Sequence, residues 1–206
     1  MKIIKMDFLF NTNLDDYARV MFVIKVRRMI TKKRYLEEFI MLTVEHYIGS
    51  IELNLETQSR TVVDQLQNIF SYRFSKNIEV LEFTAFIEPT RFELSITMFS
   101  MDKEGNEVFN EENDSTAFAG SEEVLQEFEY YQVIDSQSDA FYAFHEQNEE
   151  TLLDQEQHVF AQWFRRCWEK ARGVSLDLPS YFTLHNSDDS LELKNNRWMA
   201  DEEKWS

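Results

Sequence analysis

Two histidine–carboxylate pairs with a spacing of four residues are the first candidates for metal chemistry in this sequence. They are His145 with Glu149 and Asp154 with His158. On a continuous helix each pair would share one face, and imidazole and carboxylate groups both bind divalent metals. A zinc-protease helix requires His-Glu-x-x-His, however, and the position that should hold its second histidine is Glu149. We therefore interpret both pairs as surface residues of an acidic helix and predict no metal site.

Acidic turns and a cysteine offer other candidate chemistry. Residues 102–106 begin like a calcium loop, but that loop requires glycine at its sixth position and glutamate at its twelfth, where Glu107 and Asn113 stand. The alternating oxygen ligands in 186–192 are typical of a hairpin turn. Cys167 lies in an apolar pattern, which predicts a buried, unreactive thiol. With no glycine-rich phosphate loop and no Gly-x-Ser-x-Gly motif, we expect no cofactor and identify no enzymatic activity.

The charge of the sequence is unevenly distributed. The 206 residues include 38 acidic and 21 basic side chains, which gives a formal net charge of −17, although 43% of the residues are hydrophobic. Seventeen acids and one base lie in 102–164, whereas 17–36 contains seven bases and no acid. Such an anionic field repels phosphate and attracts cations. We therefore expect a basic protein partner and no direct nucleic-acid binding.

Seven acidic residues form the predicted binding face for that partner. They are Glu111, Glu112, Asp114, Glu122, Glu123, Glu127 and Glu129. Charge complementarity accelerates association and selects partners. Our hypothesis is a non-catalytic protein-binding protein of the immunity or inhibitor type, which blocks the cationic cleft of a basic toxin or nuclease. The alternatives are a structural or regulatory interaction module, including a homodimer, an unrecognised enzyme, and a surface that only maintains solubility.

The basic residues clustered in 27–34 are the counterpart of this acidic half. Glu37 and Glu38 end the cluster, so we interpret it as a solvated helix end, or as a partner of the acidic half within the fold or a dimer. We expect no membrane contact, because the longest apolar run, 20–24, is far shorter than a membrane span. Asp7 interrupts the apolar N-terminus and Cys167 has no second cysteine to pair with, which favours a cytoplasmic location.

Helical spacing of apolar residues predicts three helices in the N-terminal third. The first covers 13–30, although its β-branched part could instead be a strand. The second begins after Thr31 and ends at Gly49, and the third covers 57–74 with Thr57 or Ser59 as its cap. A long amphipathic helix is predicted near 150–172, with Gly173 at its end.

Alternation of apolar and polar residues predicts strands in the middle of the chain. Residues 78–87 and 91–99 form a hairpin, and 108–109 adds a short third strand to an antiparallel meander over 78–109. Residues 110–121 form an acidic loop, and the type of 122–134 is left open between helix and strand.

A second hairpin is predicted near the C-terminus. Its strands are 181–184 and 191–193, and the tail 201–204 is expected to be frayed. Together these elements predict an α+β fold in a single domain, 1–206. A subdivision into 1–109 and 122–206 around the acidic loop is the alternative.

Overall fold

The computed structural model describes residues 42–109 and 116–205. Within them the elements follow the order α1 (Val44–Phe70), β1 (Val80–Glu88), β2 (Glu93–Met101), β3 (Ser121–Glu129), α2 (Ser138–Lys170), β4 (Ser180–Leu184), β5 (Asp189–Glu192) and β6 (Arg197–Ala200). Short 3-10 helices occupy Asp135–Gln137, Gly173–Ser175 and Asp201–Trp205. The predicted α+β class is confirmed, with its strand meander and C-terminal hairpin. The predicted helix 13–30 and the beginning of the next one lie outside the described residues.

Helix α1 begins at a cap formed by Thr43, whose hydroxyl accepts a hydrogen bond from the His46 backbone N–H at 3.2 Å. It then continues through Gly49 to Phe70, so the predicted helix end at Gly49 and the predicted start at 57 are both wrong. Glycine in a helix costs only about 1 kcal/mol relative to alanine. Burial of the apolar stripe that includes Tyr47 and Ile51 outweighs this cost.

The strands form one mixed sheet in the order β3-β2-β1-β4-β5-β6. β1 and β2 pair antiparallel from Val80 opposite Met101 to Glu88 opposite Glu93, as the predicted hairpin requires. The third strand of this meander is β3, which pairs with β2. Residues 108–109 are not part of a strand, and Glu107 just before them makes only an isolated bridge to Met101. The open question about 122–134 is thereby answered, since 122–129 lies in a strand.

Helix α2 returns the chain from β3 to β4, which pairs parallel with β1 at the centre of the sheet. α2 has 33 residues, so it is about 50 Å long and starts about twelve residues before the predicted boundary near 150. Tyr47 near the beginning of α1 contacts Phe141 near the beginning of α2, and Ser59 further along α1 contacts Trp163 in the second half of α2. The two helices therefore run parallel.

The main core lies between these helices and one face of the sheet. Phe164 of α2 lies over Phe83 of β1 and Phe182 of β4, with ring centroids 5.0 and 4.9 Å apart. Alternate residues of β2, among them Leu94 and Ile96, point into the same core. We call the opposite face, which carries Glu93, Ser95 and Thr97 on β2, the outer face.

The C-terminal hairpin is confirmed, with Tyr181 of β4 opposite Glu192 of β5. A further strand, β6, pairs with β5, and the 3-10 helix Asp201–Trp205 follows it. The prediction that the tail is frayed is wrong, because Lys204 is only 8% exposed. Across the described residues, no helix combines the length and apolarity that crossing a bilayer would require.

Candidate functional site

The predicted acidic face divides between two parts of the chain. Glu111, Glu112 and Asp114 lie outside the described residues. Glu122, Glu123, Glu127 and Glu129 all lie on β3, which is an edge strand of the sheet. An edge strand has unpaired backbone groups along its free side, although the Glu123 carbonyl of β3 accepts a hydrogen bond from Gln65 Nε2 of α1 at 2.9 Å. These carboxylates therefore border an edge that α1 covers in part.

Strand register determines which of these carboxylates share a face. Glu123 is opposite Thr97, which places it on the outer face, whereas Glu122 is opposite Met98 and lies on the helix side. On that side lies Tyr72, in the segment that follows α1. Its burial is the main cause that raises its pKa, and the nearby Glu122 carboxylate raises it further. The structure therefore does not bring all four residues of β3 onto one surface.

Three glutamates form a row across the outer face. Glu129 of β3 is opposite Glu93 of β2, which is opposite Glu88 of β1. Arg91 reaches this row through Nη2, 3.1 Å from Glu93 Oε2. Both the hydroxyl and the backbone N–H of Thr90 donate hydrogen bonds to Glu88, which lowers its pKa and keeps it ionised at neutral pH. The row is therefore anionic even with the arginine beside it.

A β-bulge interrupts β3 next to Glu127. The register shifts between Leu94 and Thr97 of the partner strand, and Glu127 adopts a left-handed backbone with φ of 42°. The backbone N–H of Glu127 donates to Ser95 Oγ at 2.9 Å. Bulges and charged side chains are also how native edge strands avoid uncontrolled pairing. The β3 edge therefore has two of the features that discourage uncontrolled strand pairing.

A second anionic surface, which was not predicted as a binding face, lies on the first half of α2. Residues 138–154 contain five acids and no lysine or arginine. Among them, Glu146 and Glu149 are exposed and lie between two exposed apolar side chains, Tyr142 at 53% and Leu153 at 55%. The sequence signal was available, but the predicted helix began near 150 and so did not include Tyr142.

The buried carboxylate of Glu156 is a third feature that sequence reasoning missed. Glu156 is 4% exposed and accepts a hydrogen bond from the Tyr47 hydroxyl. Desolvation by burial raises its pKa to about 7, and the Tyr47 hydrogen bond offsets part of that rise. Burial and the nearby Glu156 carboxylate also raise the pKa of Tyr130. Because this carboxylate is enclosed, a substrate cannot reach it without a rearrangement of the core.

A buried ion-pair cluster closes one end of the outer face. Lys204 Nζ contacts the Glu82 carboxylate and lies 2.6 Å from Asp201 Oδ1. The Ser190 hydroxyl donates to the same Asp201 oxygen at 2.6 Å. These contacts attach the terminal 3-10 helix to β1 and β5, so the cluster has a structural role.

The remaining candidates from the sequence have structural explanations. Asp102 Oδ1 accepts hydrogen bonds from the backbone N–H groups of Glu104 and Asn106, which lowers the pKa of Asp102 and forms a tight turn. Cys167 is fully buried, as predicted, and burial raises its thiol pKa. His145 is half-buried against aromatic rings such as Phe92, so the prediction that it is a simple surface residue is wrong.

Comparison of the chain with protein-family models, with curated proteins and with solved structures finds no match.

Proposed function

We propose that the protein is a non-catalytic, acidic binding protein whose partner is a basic protein. The observation that carries the proposal is the set of carboxylates on and beside the free edge of β3, namely Glu123 and Glu129 with the row that continues through Glu93 and Glu88. A surface of this kind accelerates the approach of a cationic partner and disfavours anionic ones.

The role that best fits such a surface is that of an immunity or inhibitor protein for a basic toxin or nuclease. A nuclease carries a cationic cleft because it binds phosphates, and a carboxylate-rich surface is complementary to that cleft. The single cysteine, which has no pairing partner in the chain, favours a cytoplasmic location.

The first experiment uses the immobilised full chain to capture proteins from a lysate of the source cell. A basic partner should be retained at about 50 mM salt and released steeply toward about 500 mM, because exposed charge pairs are screened over this range. The captured protein is then purified, and its association rate with the full chain is measured at several salt concentrations. If it is a toxin or nuclease, its activity should fall when the full chain is added.

The matched variants test the surface itself. Glu123→Gln with Glu129→Gln should lower the association rate about tenfold at low salt. Glu45→Gln with Glu52→Gln removes the same charge from exposed positions of α1 and should have little effect. Equal losses for both pairs would mean that only the net charge matters, and an unchanged rate for the β3 pair would refute the proposed binding face.

A structural or regulatory module, including a homodimer, is the competing proposal. Self-pairing through β3 would bring the glutamates of two copies together, and like charges directly opposite on neighbouring strands are destabilising. Sedimentation equilibrium of the full chain decides the point: a dimer that persists at neutral pH and low salt would favour the module.

A further inference from the structure

A single line of side chains with alternating four- and three-residue spacing runs along α2. Its members are Tyr142, Glu146, Glu149, Leu153, Glu156, Phe160, Trp163 and Cys167. This spacing keeps them on one face of the helix, as in a coiled-coil seam. The last four are buried, at 4%, 0%, 1% and 0% exposure. The first four are exposed, and we call them the exposed stripe.

The exposed stripe is solvent-accessible because α2 is much longer than β4, the strand that follows it. The helix is about 50 Å long, whereas the five residues of β4 span about 17 Å. Gln157 Nε2 donates to Ser187 Oγ, in the turn after β4, at 3.0 Å. Residues of α2 that precede Gln157 therefore lie beyond this turn. The exposed stripe belongs to this part of the helix, so β4 does not cover it as it covers the second half of the same line of side chains.

We propose that the exposed stripe docks a basic amphipathic helix of a partner protein. The inference rests on the proposed function, because it names the kind of structure that a cationic partner would present. Tyr142 and Leu153 supply apolar anchors at the two ends, about 16 Å apart along the helix axis. Glu146 and Glu149 lie between them.

Charge and spacing both favour this occupant. Alternating four- and three-residue spacing matches the side chains of a second helix, which insert between those of the first. Because 138–164 contains no lysine or arginine, Glu146 and Glu149 have neither of these cations within one turn of their own helix. Lysines or arginines beside the apolar seam of a partner helix would complement Glu146 and Glu149.

A second copy of the chain fits the same surface poorly. In an antiparallel pair of stripes, Glu146 of one copy would face Glu149 of the other, and in a parallel pair each glutamate would face itself. Like charges at a helix interface oppose association by electrostatic repulsion. The exposed stripe therefore favours a cationic helix over self-association.

The test uses the full chain and a synthetic peptide of about three heptads, with leucine at the seam positions and lysine at the flanking positions. Fluorescence anisotropy of the labelled peptide gives the dissociation constant at low and high salt. Leu153→Ser should raise this constant about tenfold, because the apolar anchor is lost. Leu53→Ser on α1 is the matched control, since Leu53 is also an exposed leucine, at 74%, and should leave the constant unchanged.

Charge variants and a scrambled peptide separate docking from simple attraction. Glu146→Gln with Glu149→Gln should weaken binding and reduce its salt dependence more than Glu45→Gln with Glu52→Gln. A peptide of the same composition with a scrambled order should bind more weakly than the amphipathic one. No binding of the amphipathic peptide, equal binding of the scrambled one, or no effect of Leu153→Ser would overturn the inference.

Self-association gives a further decisive outcome. A dimer in sedimentation equilibrium that Leu153→Ser abolishes would overturn the inference in favour of a second copy. None of these substitutions touches β3, so the Glu123 and Glu129 variants decide the proposed function separately, whatever the peptide does.

Discussion

Replacing Glu156 by glutamine should stabilise the protein above neutral pH and have a much smaller effect in mild acid. Glu156 is enclosed in the core, and its pKa in the folded protein is about 7, against 4.5 for an ordinary glutamate. Its partner is a neutral hydroxyl, that of Tyr47, and not a cation. Glutamine has nearly the same shape, and its carbonyl can still accept the tyrosine hydrogen bond.

The sign and size of the effect follow from proton linkage. Between about pH 4.5 and pH 7 the folded state holds a proton that the unfolded state has lost, so the free energy of unfolding falls as the pH rises through this window. The full decrease is about 3 kcal/mol, since each pKa unit corresponds to about 1.4 kcal/mol. Glutamine does not titrate, so this decrease is absent in the variant. Any loss from an imperfect amide contact is the same at every pH.

Urea unfolding followed by tryptophan fluorescence measures the effect, because Trp163 and Trp168 are buried. The free energy of unfolding is compared between the two proteins from about pH 5.5 to about pH 8, and their difference should change by about 2 kcal/mol in favour of the variant. Glu149→Gln, an exposed change on the same helix, should give a nearly constant difference. A constant difference for Glu156→Gln as well would refute the reasoning.

Three further predictions concern stability and are measured by urea unfolding at neutral pH. Lys204→Met leaves the Glu82 carboxylate without its buried counter-charge and should cost about 3 kcal/mol, so a loss below about 1 kcal/mol would argue against a buried ion pair. Gly173→Ala should cost about 2 kcal/mol, because a methyl group there would lie 2.2 Å from Trp168 Cε2 and force the ring to move; an unchanged midpoint would contradict that contact. Gly49→Ala should instead stabilise the protein by about 1 kcal/mol, because no atom lies within 4 Å of the new methyl group, and destabilisation would be inconsistent with the helix continuing through this position.

Periodic patterns in the sequence predicted the elements whose burial is regular. Alternation in 91–99 identified β2, which is half-buried with every second residue in the core. Helical spacing from Phe160 to Trp168 identified the second half of α2, which packs onto the sheet. In both cases one face meets the core, and such a face leaves a repeat in the sequence.

Local signals failed where distant contacts outweigh them. Gly49 looked like a helix end, but the burial of its neighbours in α1 stabilises a helix that continues past it. β3 gave no clear period, because its bulge places Val124 and Leu125 next to each other in the core. The tail looked frayed because the carboxylate that binds Lys204 most closely, Glu82, is 122 residues away.

The candidate site shows the same division. The sequence by itself determined that the protein is acidic, that its charge is concentrated in one part of the chain, and that it contains no recognisable catalytic motif, because composition and local spacing do not depend on folding. Only the tertiary structure decided which carboxylates face the same way: register separates Glu122 from Glu123, and the length of α2 beyond β4 exposes Leu153 beside Glu149. A surface is made by strand pairing and helix packing, and both join residues that are far apart in the chain.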